Sequence, residues 1–509
     1  MFLLALVFAL LAHDQWAGGG DDATAQAWPA LLAVTLPPKL IIGGVYELAC
    51  AITRRRRGAR TGVRWLRRLR RLQPALLGLL LLSFVTDLSA GLLLAVRGVM
   101  GDWVLVDEAI VLAPTLAVVV WMWWAYYPID RHVRESPTIR LLDDGQPVPP
   151  IWTRGQYLLN KLWHEVALVL LPMLALLAWM DALGLLRMRV TWPLPEAGWW
   201  LLQLTGVAAI MLLAPLVIRH VWSTTPLPAG PLRERLVAMC RTHRVGVREL
   251  LLWHTFGGMI NAAVMGLISP VRYILLTDAL LDLMPQKQVE AVMAHELAHV
   301  RRHHLFWLIL AAMALGGSLE LGAQGLLYIA SPGDAVPTGP VLVERDNSSR
   351  LACMERQVDA ARAGALQWTT DPRVLPWLIV GPALAAWGLA FGWVSRRFER
   401  QADTFAVQHL VHEQPIGQHD AAGRRVVDAA SAQIMVDALQ AVADLNHIDP
   451  RRRSWRHGSI AWRQDYLRSL AGLPVNDLPI DRIVRRINTA SLVLACVLGS
   501  AALWLSWLV

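Results

Sequence analysis

Apolar residues along this chain gather into runs near the ~20 positions that an α-helix needs to cross a bilayer. Such runs lie at about 28–52, 72–98, 104–126, 157–185, 198–222, 304–330, 373–395 and 487–509 and predict eight membrane-spanning helices. The opening "MFLLALVFALLAH" is apolar for only about a dozen residues and lacks a basic start, so a signal peptide, a short ninth span and an interfacial helix all stay open for it. Two polar stretches, 223–303 and 396–486, are long enough to fold outside the bilayer. In the first, "ELLLWHT", "MINAAVMGL" and "RYILLTDALL" read as short strands separated by Gly or Pro. "QKQVEAVMAHELAHVRR" follows Pro285 and contains neither Pro nor Gly, as expected of a helix. The predicted fold is mainly α: a polytopic membrane helix bundle with a small β-sheet in its polar part. Its expected segments are 1–27, a five-span bundle over 28–222, a polar segment 223–303, a transmembrane hairpin 304–395 with an outside loop 331–372, a second polar segment 396–486, and a last span 487–509.

Composition agrees with a membrane protein, since 55% of the 509 residues are hydrophobic and only 17% charged. The net charge of +9 comes almost wholly from arginine, because lysine occurs only at Lys39, Lys161 and Lys287. Ten of those arginines fall between Arg54 and Arg71, in "RRRRGARTGVRWLRRLRR", which reads as a cytoplasmic loop that anchors topology and meets anionic lipid. No nucleic-acid partner is inferred from the charge. Alternation from that anchor puts 223–303 and 396–486 on the cytoplasmic side and 331–372 outside. Cys50, Cys240, Cys353 and Cys496 lie far apart, so neither a CxxC metal pair nor a disulfide framework is visible. Ionisable residues in or beside the spans (Asp87, Asp107, Glu108, His164, Glu165, Asp181 and Glu320) need partners or water. A hydrated chamber and buried interhelical pairs are equally compatible with them.

The strongest chemical signal is "HELAH". His295 and His299 are about 400° apart on a helix, hence on one face one turn apart, and suit two corners of a tetrahedral zinc site. Glu296 lies about 100° round from His295, beside the metal, where it can take a proton from an attacking water. "WHEVALV" is an internal control: His164 and Glu165 are followed at 168 by Leu, so the pattern fails and a structural role is expected. A metzincin is excluded because Arg302 and Leu305 stand where Gly and His are required. His303 lies about 12 Å along the helix axis from His295, too far to share an ion, and His303 and His304 read as interfacial side chains. The better third ligand is Glu399 in "SRRFERQADTFAVQHL", with Asp403 one turn on to hydrogen-bond a ligand histidine.

"AVMAHELAHVRRHH", a hairpin of spans and then "FERQADTFA" together resemble the integral-membrane zinc metallopeptidases of the HtpX and CaaX-prenyl-protease family, gluzincins with the pattern HExxH…ExxxD. The resemblance covers about 240–470. It implies a zinc endopeptidase holding one Zn²⁺ per chain on His295, His299 and Glu399, with Glu296 as general base and Asp403 in support. Through "GGMINAAVMGLISPVRYILLTDALLDLMP" it implies an edge strand at Asn261, Ala262 and Ala263 that holds a peptide substrate extended. Through "RHGSIAWRQDYLRSL" it implies transition-state contacts from His457 and Arg463, although Gly458 stands where the family has Pro.

The expected activity is hydrolysis of membrane-associated, misfolded or CaaX-like polypeptides by a multi-pass protein, the expected location being a bacterial cytoplasmic membrane with the site on the cytoplasmic side. Its expected partners are a peptide or membrane-protein substrate and the lipid bilayer; neither the substrate nor the oligomeric state can be read from the sequence. Two other readings compete. A sensor-transducer of the β-lactam-receptor kind would use 331–372 as its receptor part, yet that loop has no SxxK. A site-2-type intramembrane protease would need an LDG motif, and the zinc helix here precedes its span.

Overall fold

The computed structural model describes residues 6, 28–56, 59–100, 106–143, 152–189, 194–255, 259–330, 375–446 and 448–508. The opening apolar segment, apart from Leu6, and the outside loop 331–372 therefore lie outside the described residues. The chain divides into two compact units: 1–227 with 247–259 and 265–279, and 228–246 with 260–264 and 280–509.

The first unit is built on α1 (Trp28–Arg55), α2 (Ala59–Ser89), α3 (Leu92–Met100), α4 (Val106–Asp143), α5 (Arg154–Lys161), α6 (Leu168–Arg189) and α7 (Glu196–Val221). Tyr46, Leu80, Phe84, Leu88, Leu93 and Met122 lie in its main apolar core, where α1 packs on α2 and α4. Three of its carboxylates are paired through one oxygen each. Lys39 of α1 meets Asp87 of α2 at 2.5 Å with both side chains buried, and Arg97 meets Asp107 at 2.5 Å and Glu108 at 3.1 Å. Of the two explanations for in-span charge, buried pairs therefore account for Asp87, Asp107 and Glu108.

Two expectations need correction here. The run 72–98 is not one helix: α2 ends at Ser89, and Gly91 takes a φ of 85°, open to glycine without a Cβ penalty, before α3 begins. The arginine-rich stretch is not mainly loop either, because α2 starts at Ala59 and carries Arg64 to Arg71 as helix. After Gly58 only Gly62 weakens a helix in that stretch, and arginine is a good helix former. The "WHEVALV" decoy falls in a π-helical turn, Leu162–Ala167, between α5 and α6. There His164 Nδ1 lies 2.9 Å from the Asn160 carbonyl, and Glu165 pairs with Lys161.

This unit also holds a mixed sheet. β1 (Thr224–Pro226) pairs antiparallel with β2 (Glu249–Trp253), which pairs parallel with β4 (Tyr273–Thr277). β4 is buried along its whole length. Trp253 stacks on Trp222 with ring centroids 4.3 Å apart.

The second unit contains α8 (Pro231–Thr242), the residues of β3 (Ala262–Met265) up to Val264, α10 (Gln286–Arg301), α11 (His304–Ala330), α12 (Leu375–His412), α13 (Ala429–Leu445), α14 (Ile460–Arg468) and α15 (Pro479–Leu508); the short α9 (Asp278–Leu283) leads into it. α10 is buried against α12 and α13, and its Glu290 is fully buried beneath Arg235 (2.5 Å) and Lys287 (3.1 Å). α11 packs on α12 and α15, as a hairpin of spans would, through Ala311, Val394, Phe398, Ile480 and Val484. The strands expected in "ELLLWHT", "MINAAVMGL" and "RYILLTDALL" are β2, β3 and β4; β1 was not anticipated.

Among the described residues six helices are long and apolar enough to cross a membrane: Ala33–Arg55, Arg64–Leu88, Val106–His132, Leu170–Arg189, Leu201–Val221 and Pro479–Ala501. The other two expected spans, 304–330 and 373–395, are helical as α11 and the first half of α12. The fold is mainly helical with a small mixed sheet.

Candidate metal centre

α10 and α12 present the expected residues to one point. Nε2 of His295 lies 3.3 Å from Nε2 of His299, 3.7 Å separates His295 from Glu399, and 3.8 Å separates His299 from Glu399. A tetrahedral zinc with ligands at 2.0–2.1 Å would have ligand–ligand edges of about 3.3 Å; the two imidazole nitrogens already stand at that edge, and Glu399, with Oε2 toward His295 and Oε1 toward His299, would bring one oxygen in to complete the set. Among the described residues this is the one group of three His, Cys, Asp or Glu side chains whose donor atoms all lie within 4.8 Å of one another.

Behind this face stands a fully buried carboxylate. Asp403 receives a two-pronged bond from Arg463, Nε to Oδ2 at 2.7 Å and Nη2 to Oδ1 at 2.5 Å. Its Oδ1 lies 2.9 Å from Nδ1 of His295, a close contact that approaches off the ring's donor direction. Burial opposes ionisation of Asp403, but Arg463 and His295 outweigh it and hold the carboxyl below its ordinary range. Glu399 behaves alike: burial works against its charge, while His457 at 3.0 Å, Arg463 at 3.5 Å and the two histidines hold it well below the usual carboxylate value. The histidines differ. Burial pushes His299 well below its usual value, which favours a free lone pair, whereas at His295 Asp403 overcomes burial and raises it.

Glu296 does not pair with the other carboxylates. It is half-buried, burial pushes its carboxyl up to about 7, and the backbone N–H of Val264 in β3 bonds to it. A carboxyl poised there accepts and releases a proton near neutrality. The same bond sets the strand that starts at Ala262 beside Glu296, with Ala262 buried, Ala263 half-buried and Asn261 exposed.

His457 reaches the site on a loop clamped to α12. Trp455 Nε1 donates to the Gly388 carbonyl at 2.8 Å, Arg396 donates to the Trp455 carbonyl at 2.7 Å, and a Cβ on Gly392 would come within 2.6 Å of the Trp455 ring. Gly458 has φ 77°, a conformation closed to proline, whose ring fixes φ near −65°.

Every residue the sequence singled out on α10, α12 and the 457–463 segment thus comes together. One expectation fails: His304 is buried, not interfacial, with its Nδ1 3.0 Å from Nδ1 of His299, while His303 is exposed as expected. α10 stops at Arg301, and His303 takes a left-handed φ of 53° that turns the chain and swings His304 back against His299. Gln401 and Asp481, which continue this contact, had no sequence signal beyond their charge or polarity.

Comparison with known proteins gives three findings. No curated protein sequence matches the chain. Among solved structures, the crystal structure of S. mikatae Ste24p overlaps 85% of this chain and 99% of its own at 15% identity, with a TM-score of 0.34. Residues 255–423 match Peptidase family M48, and this third of the chain contains HExxH, Glu399 and Asp403. The matched segment carries His295, Glu296, His299, Glu399 and Asp403 but not His457 or Arg463, and the protein is a metallopeptidase.

Proposed function

We propose that the chain is a membrane-embedded zinc endopeptidase that cuts membrane-associated, misfolded or CaaX-like polypeptides at the cytoplasmic face of a bacterial membrane. The observation that carries this reading is the convergence of His295, His299 and Glu399 on one point with Glu296 beside it. Three protein ligands leave a tetrahedral ion one open position, the arrangement of a catalytic rather than a structural site.

Zinc, when bound, would supply a Lewis acid that acidifies water and polarises the scissile carbonyl. Glu296 takes the proton of the attacking water and passes it to the leaving amine nitrogen. Asp403 holds the His295 ring through Nδ1 and so directs Nε2 inward, and Arg463, whose fork is on Asp403, acts through that carboxylate while its charge stays 3.5 Å from Glu399. His457, half-exposed beside Glu399, stands where it can turn toward a developing oxyanion. Asn261 and the strand that follows it at Ala262 and Ala263 offer main-chain groups to an extended peptide next to Glu296, a mode that reads backbone more than side chains.

Glu296→Gln tests the assignment. It removes the proton carrier and keeps all three ligands, so the purified variant should bind zinc as the wild type does and cleave a quenched fluorescent peptide slower by roughly 10²–10⁴-fold. Cleavage at the wild-type rate would overturn the mechanism.

A further inference from the structure

The two zinc-facing histidines are backed by different chemistry. His295 has the Asp403 carboxylate behind it; His299 has a second imidazole. From Nδ1 of His299 a chain of contacts runs to Nδ1 of His304 (3.0 Å), from Nε2 of His304 to Oε1 of Gln401 (2.9 Å), and from Nε2 of Gln401 to Oδ1 of Asp481 (2.6 Å). These partners come from three helices, α11, α12 and α15. His304 and Gln401 are 3% and 4% exposed. The His304 ring lies flat on Phe398, with centroids 4.8 Å apart and planes 7° from parallel.

The contacts have a direction, and it starts at Asp481. An ionised carboxylate only accepts, and Arg302 Nη2 stands 3.7 Å from Oδ1 of Asp481. Asp481 therefore fixes the Gln401 amide with its NH₂ toward the carboxylate and its oxygen toward His304. The amide oxygen also only accepts, so His304 carries its proton on Nε2. A neutral His304 then offers a lone pair at Nδ1, and the 3.0 Å contact is a hydrogen bond when Nδ1–H of His299 donates to it. That leaves Nε2 of His299, the atom 3.3 Å from Nε2 of His295, with its lone pair unprotonated and pointed at the metal position.

We propose that His304, Gln401 and Asp481 are positioning residues that lock His299 in its Nδ1–H tautomer and thereby set the affinity of the site for zinc. The inference rests on the zinc reading above and adds to it a second support, which is neutral where Asp403 is charged. Removing the partner of a metal-ligating histidine lowers affinity roughly 10–100-fold, and here the same is expected of a residue five positions beyond the ligand on a different helix.

The test is zinc titration of the full-length apoprotein against a chromophoric chelator, together with the visible spectrum of the Co²⁺-loaded protein. His304→Phe keeps the stack on Phe398 and removes both nitrogens; it should weaken zinc binding roughly 10–100-fold and shift the Co²⁺ bands. His304→Asn puts an amide oxygen close to where Nδ1 sits and should recover part of the loss. Wild-type affinity and an unchanged spectrum in His304→Phe would overturn the proposal, and so would His304→Asn binding as weakly as His304→Phe. Should His304→Phe fail to fold, Gln401→Leu leaves the ring in place and frees its tautomer: weaker binding supports the proposal, wild-type affinity overturns it. His295→Ala separates the two ideas. Undiminished zinc uptake there would sink the zinc site itself, whereas loss there with wild-type affinity in the His304 and Gln401 variants sinks only the relay.

Discussion

Asp403→Asn separates two jobs that one carboxylate performs. Toward Arg463 it is the counter-charge of a guanidinium only 8% exposed, and toward His295 it is the carboxylate 2.9 Å behind Nδ1. Asparagine keeps one oxygen and replaces the other with an NH₂ that can only donate, so it can serve one partner and opposes the other. Breaking a buried pair by removing one partner costs about 3–5 kcal/mol. Arg463 still has Glu399 at 3.5 Å, so the lower end of that range, about 3 kcal/mol, is expected for the metal-free protein. The His295 contact governs metal affinity separately, and its loss should weaken zinc binding roughly 10–100-fold, equivalent to about 1.4–2.7 kcal/mol. Thermal unfolding in detergent with chelator reads the first loss, and chelator competition reads the second. Adding Arg463→Met to Asp403→Asn removes the stranded cation, so stability should largely return while zinc affinity stays low. The reasoning fails if Asp403→Asn binds zinc as the wild type does, or if the double variant regains affinity together with stability.

Lys39→Met should destabilise the helical core by about 3–5 kcal/mol because it strands the buried Asp87, whereas Lys39→Met with Asp87→Leu should match or exceed wild-type stability in a detergent melt. Glu290 is ionised in the fold because Arg235 and Lys287 outweigh its burial, and its carboxyl lies below the ordinary value of 4.5. Its contribution is therefore present above pH ~4.5 and lost as pH falls below it; Glu290→Gln should cost about 1–2 kcal/mol at pH 7, and melts that show the same gap at pH 4 would contradict this. Single cysteines at Ser348 and Arg397 should label from opposite faces of oriented vesicles, and labelling from one face would refute the hairpin topology.

The candidate metal ligands were legible because their geometry is local. His295 and His299 sit one turn apart within α10, and Glu399 and Asp403 one turn apart within α12, so helical periodicity alone aims each pair. His304 was misread for the complementary reason. Periodicity extends a helix through "HVRRHH", but the left-handed residue at His303 ends it, and no residue type at that position announces the turn. Gly91 acts likewise within the run 72–98, and there the glycine itself was the available clue. Gln401 and Asp481 lie 80 positions apart, and their pairing exists only once α12 and α15 have packed. β1 spans three residues, too short for an alternating pattern to register.

α12 is a single helix of 38 residues, about 57 Å of continuous rod, whose apolar first half and ligand-bearing second half share one rotational phase. One residue added between Trp393 and Glu399 would turn the two halves by ~100° against each other and separate them by ~1.5 Å. Four would leave an error of ~40° and seven one of only ~20°. The distance between the apolar end of the rod and its carboxylate is therefore quantised in whole turns. Glu399 could be moved along the rod relative to the apolar half only by steps of about 6 Å, four residues, or of about 10 Å, a heptad, and a finer adjustment would turn it away from the histidines.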